Sequence, residues 1–237
     1  MKKIPTLFKR EFKDHKVIDI LPEFTDERCK EAFFKGIPTV KYDGSCCAII
    51  DGKFYKRYDA KKGKKVPENA IKCQEEADPV TGHLPCWVPI SQDDPADKWF
   101  INALCNTEAE NLLNGTYEAI GPHFHGNPYG LEKEKLIPHG RIIADDFHPA
   151  IHCNAYRADC DCIEILDYVR KYLEEHPMEG IVFWLDNEPV CKIKRTDFDK
   201  GLVLVNNRIC GVILENHLDY KDLTNIEIES PSRINEI

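Results

Sequence analysis

Three short runs of strand-forming residues, separated by tight-turn dipeptides, constrain the fold of this chain more than any other feature. The runs lie between residues 37 and 58, carry apolar, β-branched or aromatic side chains, and are separated by Asp43-Gly44 and Asp51-Gly52. An Asp-Gly pair between two such runs is typical of a β-hairpin. We therefore predict a three-stranded antiparallel meander in which Lys41 ends the first strand, directly before a turn.

The remaining signals predict helices and a second hairpin. Capping residues and helical periodicity predict helices that end near residues 35, 113 and 175, the first of them capped by Thr25 or Asp26. A hairpin is predicted around the loop Asp186-Asn187-Glu188-Pro189. The segment 61–95 is rich in proline, glycine and charge, so we predict that it is a loop.

A chain of 237 residues with 42% hydrophobic residues can bury a sizeable core, in one large domain or two small ones. We expect a single domain over residues 1–237, with an extended arm at 1–24 and a tail at 206–237 that packs on the core. No apolar run approaches the length of a membrane span, so we expect no membrane partner. Eleven cysteines without the regular spacing of a secreted scaffold predict free thiols in a reducing, cytoplasmic compartment.

The distribution of charge points to a local rather than a general nucleic-acid surface. A net charge of −9 argues against wrapping of nucleic acid by the whole surface. Residues 53–65 nevertheless carry seven cationic side chains against one aspartate, with aromatic residues interleaved. Such a run suits phosphate contact and base stacking, and a solvated basic loop explains it equally well. Lys56 and Lys62 are the candidate phosphate contacts within it.

Lys41 is a candidate nucleophile. A free lysine has a pKa of ~10.4, so only a small fraction of it is neutral and nucleophilic at pH 7. A reactive lysine therefore needs burial beside other cations, or a metal ion, to favour the neutral amine. The alternative is that Lys41 is a surface side chain beside an ordinary Asp-Gly turn.

The second hairpin predicts a polar face. If its loop has four residues, Lys192 lies opposite Phe183 and Lys194 opposite Ile181, because side chains alternate along a strand. Glu179 then shares this face with those four residues. A core-facing surface does not normally hold two lysines and a glutamate, so we expect the face to border a polar ligand. A solvent-exposed face with cross-strand ion pairs is the alternative.

Four short motifs occur in a fixed order along the chain. They are Lys41-Tyr42-Asp43-Gly44, a strand glutamate at Glu118, Glu179-Gly180-Ile181-Val182 and Lys192-Ile193-Lys194. This order resembles that of the covalent nucleotidyltransferase superfamily, which contains polynucleotide ligases and mRNA capping enzymes. Within it the chain most resembles the small single-domain ATP-dependent 5′–3′ RNA ligases of the vertebrate type, over about residues 37–195.

The resemblance implies a nucleotidyltransferase (adenylation) domain of the α+β class. Two antiparallel sheets with flanking helices would enclose a nucleotide cleft, without an OB-fold domain. The implied activity is that of an ATP-dependent RNA ligase, which joins a 5′-phosphate to a 3′-hydroxyl through a lysyl-adenylate and an RNA-adenylate. ATP and Mg²⁺ are the implied cofactors, with Mn²⁺ as a substitute, and RNA ends are the implied partners of a monomer.

The resemblance also implies roles for the residues of the motifs. Lys41 would attack the α-phosphate of ATP, and Glu179 would bind Mg²⁺ directly or through water. Lys192 and Lys194 would neutralise charge on the α-phosphate and favour the neutral form of the nucleophile.

Three further residues are implied to bind the nucleotide. Glu118 would accept hydrogen bonds from the ribose hydroxyls, and Ile181 would pack on the adenine ring. Arg57 would bind a phosphate of ATP or of the RNA end through its planar guanidinium.

Other functions are open at this point. The chain could be another member of the superfamily, either a DNA ligase or a GTP-using capping guanylyltransferase, or a catalytically silent nucleic-acid-binding module. A second cluster of potential ligands, made of histidine and cysteine side chains, lies between residues 148 and 162. Its spacing matches no standard paired-cysteine pattern, so whether it binds a metal is also open. The side chains of that cluster are His148, His152, Cys153, Cys160 and Cys162.

Overall fold

The structure is a computed structural model that describes residues 2–13, 16–79, 81–149 and 162–198, together with 204–205 and 208–209. The chain divides into two compact units. The first unit is formed mainly by Asp43–Arg141. The second unit is formed by Ile4–Tyr42 and by residues that follow Arg141.

Strands outnumber helices in the described part of the chain, and the strands that pair within sheets are antiparallel. In chain order the elements are β1 (Phe8–Lys13), β2 (Lys16–Phe24), α1 (Glu27–Lys35), β3 (Ile37–Lys41), β4 (Ser45–Ile50), β5 (Lys53–Ala60), β6 (Ile71–Lys72), β7 (Leu84–Pro89), α2 (Lys98–Asn106), β8 (Gly115–Ile120), β9 (Lys135–Pro138), α3 (Cys162–Glu175), β10 (Gly180–Leu185), β11 (Glu188–Lys194), β12 (Leu204–Val205) and β13 (Arg208–Ile209).

The second unit contains a three-stranded sheet of order β11-β10-β3 and the hairpin of β1 and β2. Helix α1 begins where its sequence predicts, because the Asp26 carboxylate accepts a hydrogen bond from Cys29 N at 2.7 Å. The chain before β1 lies along β11: Leu7 N donates to Lys192 O at 2.7 Å, and Lys192 N donates to Pro5 O at 3.1 Å. Helices α1 and α3 supply buried side chains to the same core as the inner face of β10 and β11.

The register of β10 and β11 corrects the predicted face. Asp186 and Asn187 both have left-handed backbone angles, with φ of 53° and 62°, so the hairpin turns in two residues rather than four. An irregularity follows between Phe183 and Trp184. The result is that Lys192 lies opposite Val182 and Lys194 opposite Gly180.

The prediction that Ile181 and Phe183 share a face with the two lysines is therefore wrong. Ile181 pairs with Ile193 and Phe183 with Cys191, and all four side chains are fully buried in the hydrophobic core. Because the shorter turn and the irregularity shift the register by one residue, the lysines change sides of the sheet.

The first unit is a six-stranded antiparallel sheet of order β6-β7-β5-β4-β8-β9. The turn Asp51-Gly52 joins β4 to β5, as its sequence predicts. Helix α2 packs against β8 and β9. Under it lies a core cluster that includes Cys47, Tyr117 and Leu136, with Phe100 and Phe54 packed against it.

The predicted three-stranded meander is wrong in one pairing. Strand β3 pairs with β10, where Lys41 lies opposite Gly180, whereas β4 pairs with β5 and β8. Tyr42 and Asp43-Gly44 thus connect two different sheets instead of forming a hairpin turn.

Two other predictions differ from the structure. The predicted loop 61–95 contains β6 and β7, and the helix predicted to reach residue 113 ends at Asn106. The helix predicted to end near Glu175 is confirmed as α3.

Among the described helices, none combines the length and the apolar character that crossing a bilayer requires. Every cysteine in the described part of the chain is a free thiol. His152, Cys153 and Cys160 of the second cluster lie outside the described residues, so its metal binding stays an open prediction. The architecture is compatible with an α+β domain, and the nucleotidyltransferase fold stays a prediction.

Candidate functional site

One face of the three-stranded sheet in the second unit gathers three of the predicted site residues. Lys41 ends β3, and Lys192 and Lys194 lie on β11, all on the side of the sheet that is opposite the core. Val182 lies between them on β10 and is half-buried. We call the face formed by these four residues the lysine face.

Glu179 joins two of the lysines. Its carboxylate forms an ion pair with Lys41 Nζ through Oε2, and a second one with Lys194 Nζ through Oε1 at 3.2 Å. The backbone fixes the same arrangement, because Glu179 N donates to Lys41 O at 3.1 Å and Arg195 N donates to Glu179 O at 2.8 Å. The backbone of Glu179 is therefore hydrogen-bonded to the last residue of β3 on one side and to the residue after β11 on the other.

Lys192 is the lysine whose charge is least compensated. Burial, together with the positive charges of Lys41 and Lys194, outweighs the negative charge of Glu179 and lowers the pKa of Lys192 to about 8. Among the described residues, no carboxylate lies within ion-pair distance of Lys192 Nζ. A buried cation in this state is stabilised by an incoming anion.

Gly180 allows the strands of the lysine face to approach closely. A Cβ atom at this position would lie 2.1 Å from the Ile193 carbonyl oxygen and 2.9 Å from Lys194 Cα. Both neighbours are backbone atoms, which cannot move aside without shifting β11. The glycine of the Glu179-Gly180 motif is thus explained by packing, independently of any ligand.

The sequence-based prediction missed two residues beside this face. Arg10 on β1 forms an ion pair with the buried carboxylate of Asp197, which also accepts a hydrogen bond from Lys194 N at 2.9 Å. The charge of Arg10 contributes to the lowered pKa of Lys192. No local pattern indicates Arg10, because its position depends on a contact between distant parts of the chain.

The sheet of the first unit carries a second group of predicted residues on one face. Cys46 lies opposite Glu118, and Arg57 lies on the same side of the sheet, opposite Trp87. The side chain of His139, directly after β9, reaches this side and contacts Glu118. We call the face with Cys46, Arg57, Glu118 and His139 the arginine face.

Glu118 is a buried carboxylate with a histidine partner. Its side chain is about one tenth exposed, and its Oε2 lies 3.0 Å from His139 Nε2. The other ring nitrogen, His139 Nδ1, lies 3.0 Å from Thr116 Oγ1. Gly44 lets β4 begin close to this carboxylate, because a Cβ there would lie 2.3 Å from Ala119 O and 3.0 Å from Glu118 Cγ.

Arg57 is held by two neighbours. Its Nε donates to Asp59 Oδ1 at 2.7 Å, and its guanidinium lies 5.8 Å from the centre of the Trp87 ring. The side chain is mostly covered, which fixes the direction of the guanidinium. This is the state expected of an arginine that binds an anion with defined geometry.

Lys56 and Lys62, the two candidate contacts to phosphates of RNA, differ in their surroundings. Lys56 lies on the opposite side of the sheet from Arg57, where its Nζ forms ion pairs with the buried Asp97 and, at 3.7 Å, with Asp94. These pairs give Lys56 a structural role, and we do not assign it to RNA. Lys62 is exposed in a turn and stays a candidate.

The donors of the lysine face fit a phosphate group better than a metal ion held by the protein alone. Three lysines meet one carboxylate, and both Glu179 oxygens already face ammonium groups. A divalent cation would have to bring anionic ligands of its own, as the phosphates of a nucleotide do. Glu179 would then be the protein carboxylate that binds it.

Comparison with curated proteins finds relatives that share one name. A Pongo abelii protein named RNA ligase 1 is 26% identical to this chain in an alignment that covers 59% of this chain and 66% of the relative. The Mus musculus protein of the same name is 24% identical, over 82% of this chain and 79% of the relative. The chain thus spans just under two thirds of the length of the first of these relatives.

A Danio rerio protein, also named RNA ligase 1, is 26% identical over 48% of this chain and 40% of its own length. No family model matches the chain. At these identities the chain is distantly related to vertebrate RNA ligases.

Proposed function

We propose that this protein is an ATP-dependent RNA ligase that joins RNA 5′-phosphate and 3′-hydroxyl ends through a lysyl-adenylate on Lys41. The observation that carries the proposal is the lysine face, where Lys41 and Lys194 share the Glu179 carboxylate beside Lys192, whose pKa is lowered to about 8. The distant relation to proteins named RNA ligase 1 supports the choice of reaction.

In the first step Lys41 Nζ attacks the α-phosphorus of ATP. A phosphorus–nitrogen bond forms, the bond to the bridging oxygen breaks so that pyrophosphate leaves, and the neutral amine releases one of its two protons to solvent as it becomes the P–NH–C phosphoramidate. Lys192 and Lys194 stabilise the negative charge that grows on the phosphate oxygens. Glu179 holds Lys41 at the end of β3, so the amine is positioned before ATP arrives.

Mg²⁺, bound through Glu179 and the phosphates, would supply charge neutralisation for the leaving pyrophosphate. The ion pairs on the lysine face support a further role for Glu179. Its carboxylate pairs with Lys41 Nζ, and a cation bound at Glu179 together with the nucleotide would compete for that carboxylate and release the Lys41 side chain toward the α-phosphate.

The residues of the arginine face are assigned to the rest of the nucleotide and to the RNA end. Glu118 accepts hydrogen bonds from ribose hydroxyls, and Arg57 binds a phosphate. We assign contact with the base to Val182 on the lysine face and not to Ile181, because the Ile181 side chain is fully buried in the core. In the later steps AMP passes to the RNA 5′-phosphate, and the 3′-hydroxyl displaces it.

The direct test is covalent labelling with nucleotides that carry the label on the α-phosphate. We expect transfer from ATP to the wild-type protein, no transfer to Lys41→Arg, and unchanged transfer to Lys35→Arg, which alters an exposed helix lysine. Labelling by GTP alone would favour a capping enzyme, and no labelling at all would favour a silent nucleic-acid-binding module. Matched 5′-phosphorylated RNA and DNA substrates then separate RNA from DNA ligation.

A further inference from the structure

The arginine face holds three different metal-ligating side chains within a small volume. Ligand atoms of Cys46, Glu118 and His139 all lie within 4.8 Å of one another. They come from three neighbouring parts of the sheet, with Cys46 on β4, Glu118 opposite it on β8 and His139 directly after β9. The proposed reaction uses only Glu118 of this set.

The distances suit a tetrahedral transition metal. Zinc bonds of about 2.0–2.3 Å place neighbouring ligand atoms roughly 3–4 Å apart, so the three side chains need only small rotations from their positions in the structure. Three protein ligands leave a fourth position open to water or to an oxygen of a bound molecule.

The surroundings of His139 favour metal binding by one particular nitrogen. A metal-ligating histidine usually uses its second ring nitrogen to contact a nearby oxygen, which fixes the orientation of the ring. His139 Nδ1 has such a partner in Thr116 Oγ1 at 3.0 Å. His139 Nε2 points at the Glu118 carboxylate, 3.0 Å away, on the side where the metal would lie.

The local charge also favours a cation. Glu118 is buried, and Cys46 becomes an anion when it binds a metal as a thiolate. A divalent ion would offset the negative charge of both ligands.

We infer that Cys46, Glu118 and His139 form a binding site for Zn²⁺ or a similar thiophilic divalent ion. Thiolate and imidazole ligands select such ions over Mg²⁺, which prefers oxygen ligands. The site is therefore distinct from the Mg²⁺ position assigned to Glu179.

One consequence rests on the proposed function. If Glu118 binds the ribose hydroxyls, Zn²⁺ on the same carboxylate occupies acceptor sites that those hydroxyls use and so weakens ATP binding. Zn²⁺ and ATP then compete for the protein, so micromolar Zn²⁺ inhibits adenylate transfer even in excess Mg²⁺.

The binding test is done without nucleotide, so its outcome does not depend on the proposed reaction. Co²⁺ is titrated into the full chain as a spectroscopic substitute for Zn²⁺, in a Cys153→Ser, Cys160→Ser, Cys162→Ser background that removes all three cysteines of the second cluster. We expect one ion with thiolate-to-cobalt absorption, displaced by Zn²⁺. We expect Cys46→Ser to abolish the absorption and His139→Gln to weaken Co²⁺ binding at least 100-fold.

Cys105→Ser is the matched control, because Cys105 is an exposed thiol on α2 outside the site. It should bind Co²⁺ like the parent protein. Equal thiolate absorption in the parent and in Cys46→Ser, or no thiolate absorption in the parent, would overturn the site. Circular dichroism of each variant confirms that lost binding is not lost folding.

Competition is tested separately by adenylate transfer in the presence of Zn²⁺. Inhibition of the parent that falls at least tenfold in Cys46→Ser, each measured against its own transfer without Zn²⁺, supports a shared Glu118. Equal inhibition of both overturns the competition. If the parent binds Co²⁺ through its thiolate but never accepts AMP, the metal site stands and the proposed function fails.

Discussion

Glu179 holds Lys41 twice: its amide donates to the Lys41 carbonyl oxygen at 3.1 Å, and its carboxylate forms an ion pair with Lys41 Nζ. The strand end and the amine are thus fixed by the same residue. Since the second carboxylate oxygen contacts Lys194 Nζ at 3.2 Å, Glu179 also links β3 to the far strand of the sheet. Substitution of Glu179 should therefore affect reactivity and stability together.

We expect Glu179→Gln to lower adenylate transfer at least 100-fold and to lower the free energy of unfolding by roughly 1–3 kcal/mol, because two partly buried ammonium groups lose their anion. Single-turnover labelling and urea denaturation measure the two effects. Glu23→Gln is the control, since Glu23 pairs with Lys9 at an exposed position and should change stability by less than about 0.5 kcal/mol. Equal stability losses in the two variants would contradict the linking role of Glu179.

The charge of Lys192 should control ATP affinity. Lys41→Arg keeps the neighbouring positive charge but removes the nucleophile, so binding can be measured without reaction. We expect ATP to bind this variant more weakly at pH 9 than at pH 7, because Lys192, with a pKa of about 8, loses its proton between these values. Isothermal titration calorimetry measures the affinities.

Lys192→Arg on the same background provides the contrast, since arginine stays charged throughout this range. Its ATP affinity should be nearly constant from pH 7 to pH 9. A parallel decline in both proteins would assign the pH dependence to another group.

The same lowered pKa has a consequence for stability. Below pH 8 Lys192 is charged in both the folded and the unfolded state, so the cost of burying its charge is fully present. Between pH 8 and ~10.4, the pKa of Lys192 in the unfolded state, the unfolded state binds more protons than the folded state. The free energy of unfolding attributable to Lys192 therefore rises with pH over this range.

Lys192→Met should thus raise the free energy of unfolding at pH 7 by roughly 1–3 kcal/mol and remove this rise, as urea denaturation at several pH values would show. A destabilised Lys192→Met protein at pH 7 would speak against an uncompensated buried charge.

Local signals predict much of the fold. The Asp26 cap, the Asp51-Gly52 turn and the bounds of β4 depend on residues close in sequence, and the structure confirms them. The pairing of β3 with β10 joins segments about 140 residues apart, so no local pattern could reveal it. The Asp-Gly pair after Lys41 is wrongly interpreted as a hairpin turn because the same dipeptide suits other tight connections.

The candidate site is predictable to the extent that its residues belong to short motifs. Lys41, Glu179 and Lys194 are brought together as expected, although the predicted face of the sheet is wrong. Proline cannot donate to a sheet, so the sequence favours a loop position for Pro189, yet it pairs within β11. Arg10 is beyond the reach of local patterns, because its place beside the site depends on tertiary packing.

Lys56 should contribute to stability and not to RNA binding. Removal of its ammonium group in Lys56→Met leaves the buried carboxylate of Asp97 uncompensated, which should cost roughly 3–5 kcal/mol. The double variant with Asp97→Asn should recover part of that loss, and the coupling is obtained from a double-mutant cycle. RNA affinity at a temperature where Lys56→Met is folded should match the wild type. A salt-dependent loss of RNA binding in Lys56→Met would return Lys56 to the RNA contacts.

Ile181 and Val182 are adjacent in sequence, but their substitution by alanine should affect different properties, namely stability for Ile181 and the KM for ATP for Val182. Ile181→Ala leaves a cavity in the core and should destabilise the protein by roughly 2–5 kcal/mol, with little change in the KM for ATP of the folded fraction. Val182→Ala removes two methyl groups from the lysine face, so it should raise the KM for ATP severalfold and cost less stability. Denaturation and initial rates of adenylate transfer measure both effects. If Ile181→Ala raises the KM and Val182→Ala does not, the base is bound by the residue that the sequence first suggested, and β10 must change its register when ATP binds.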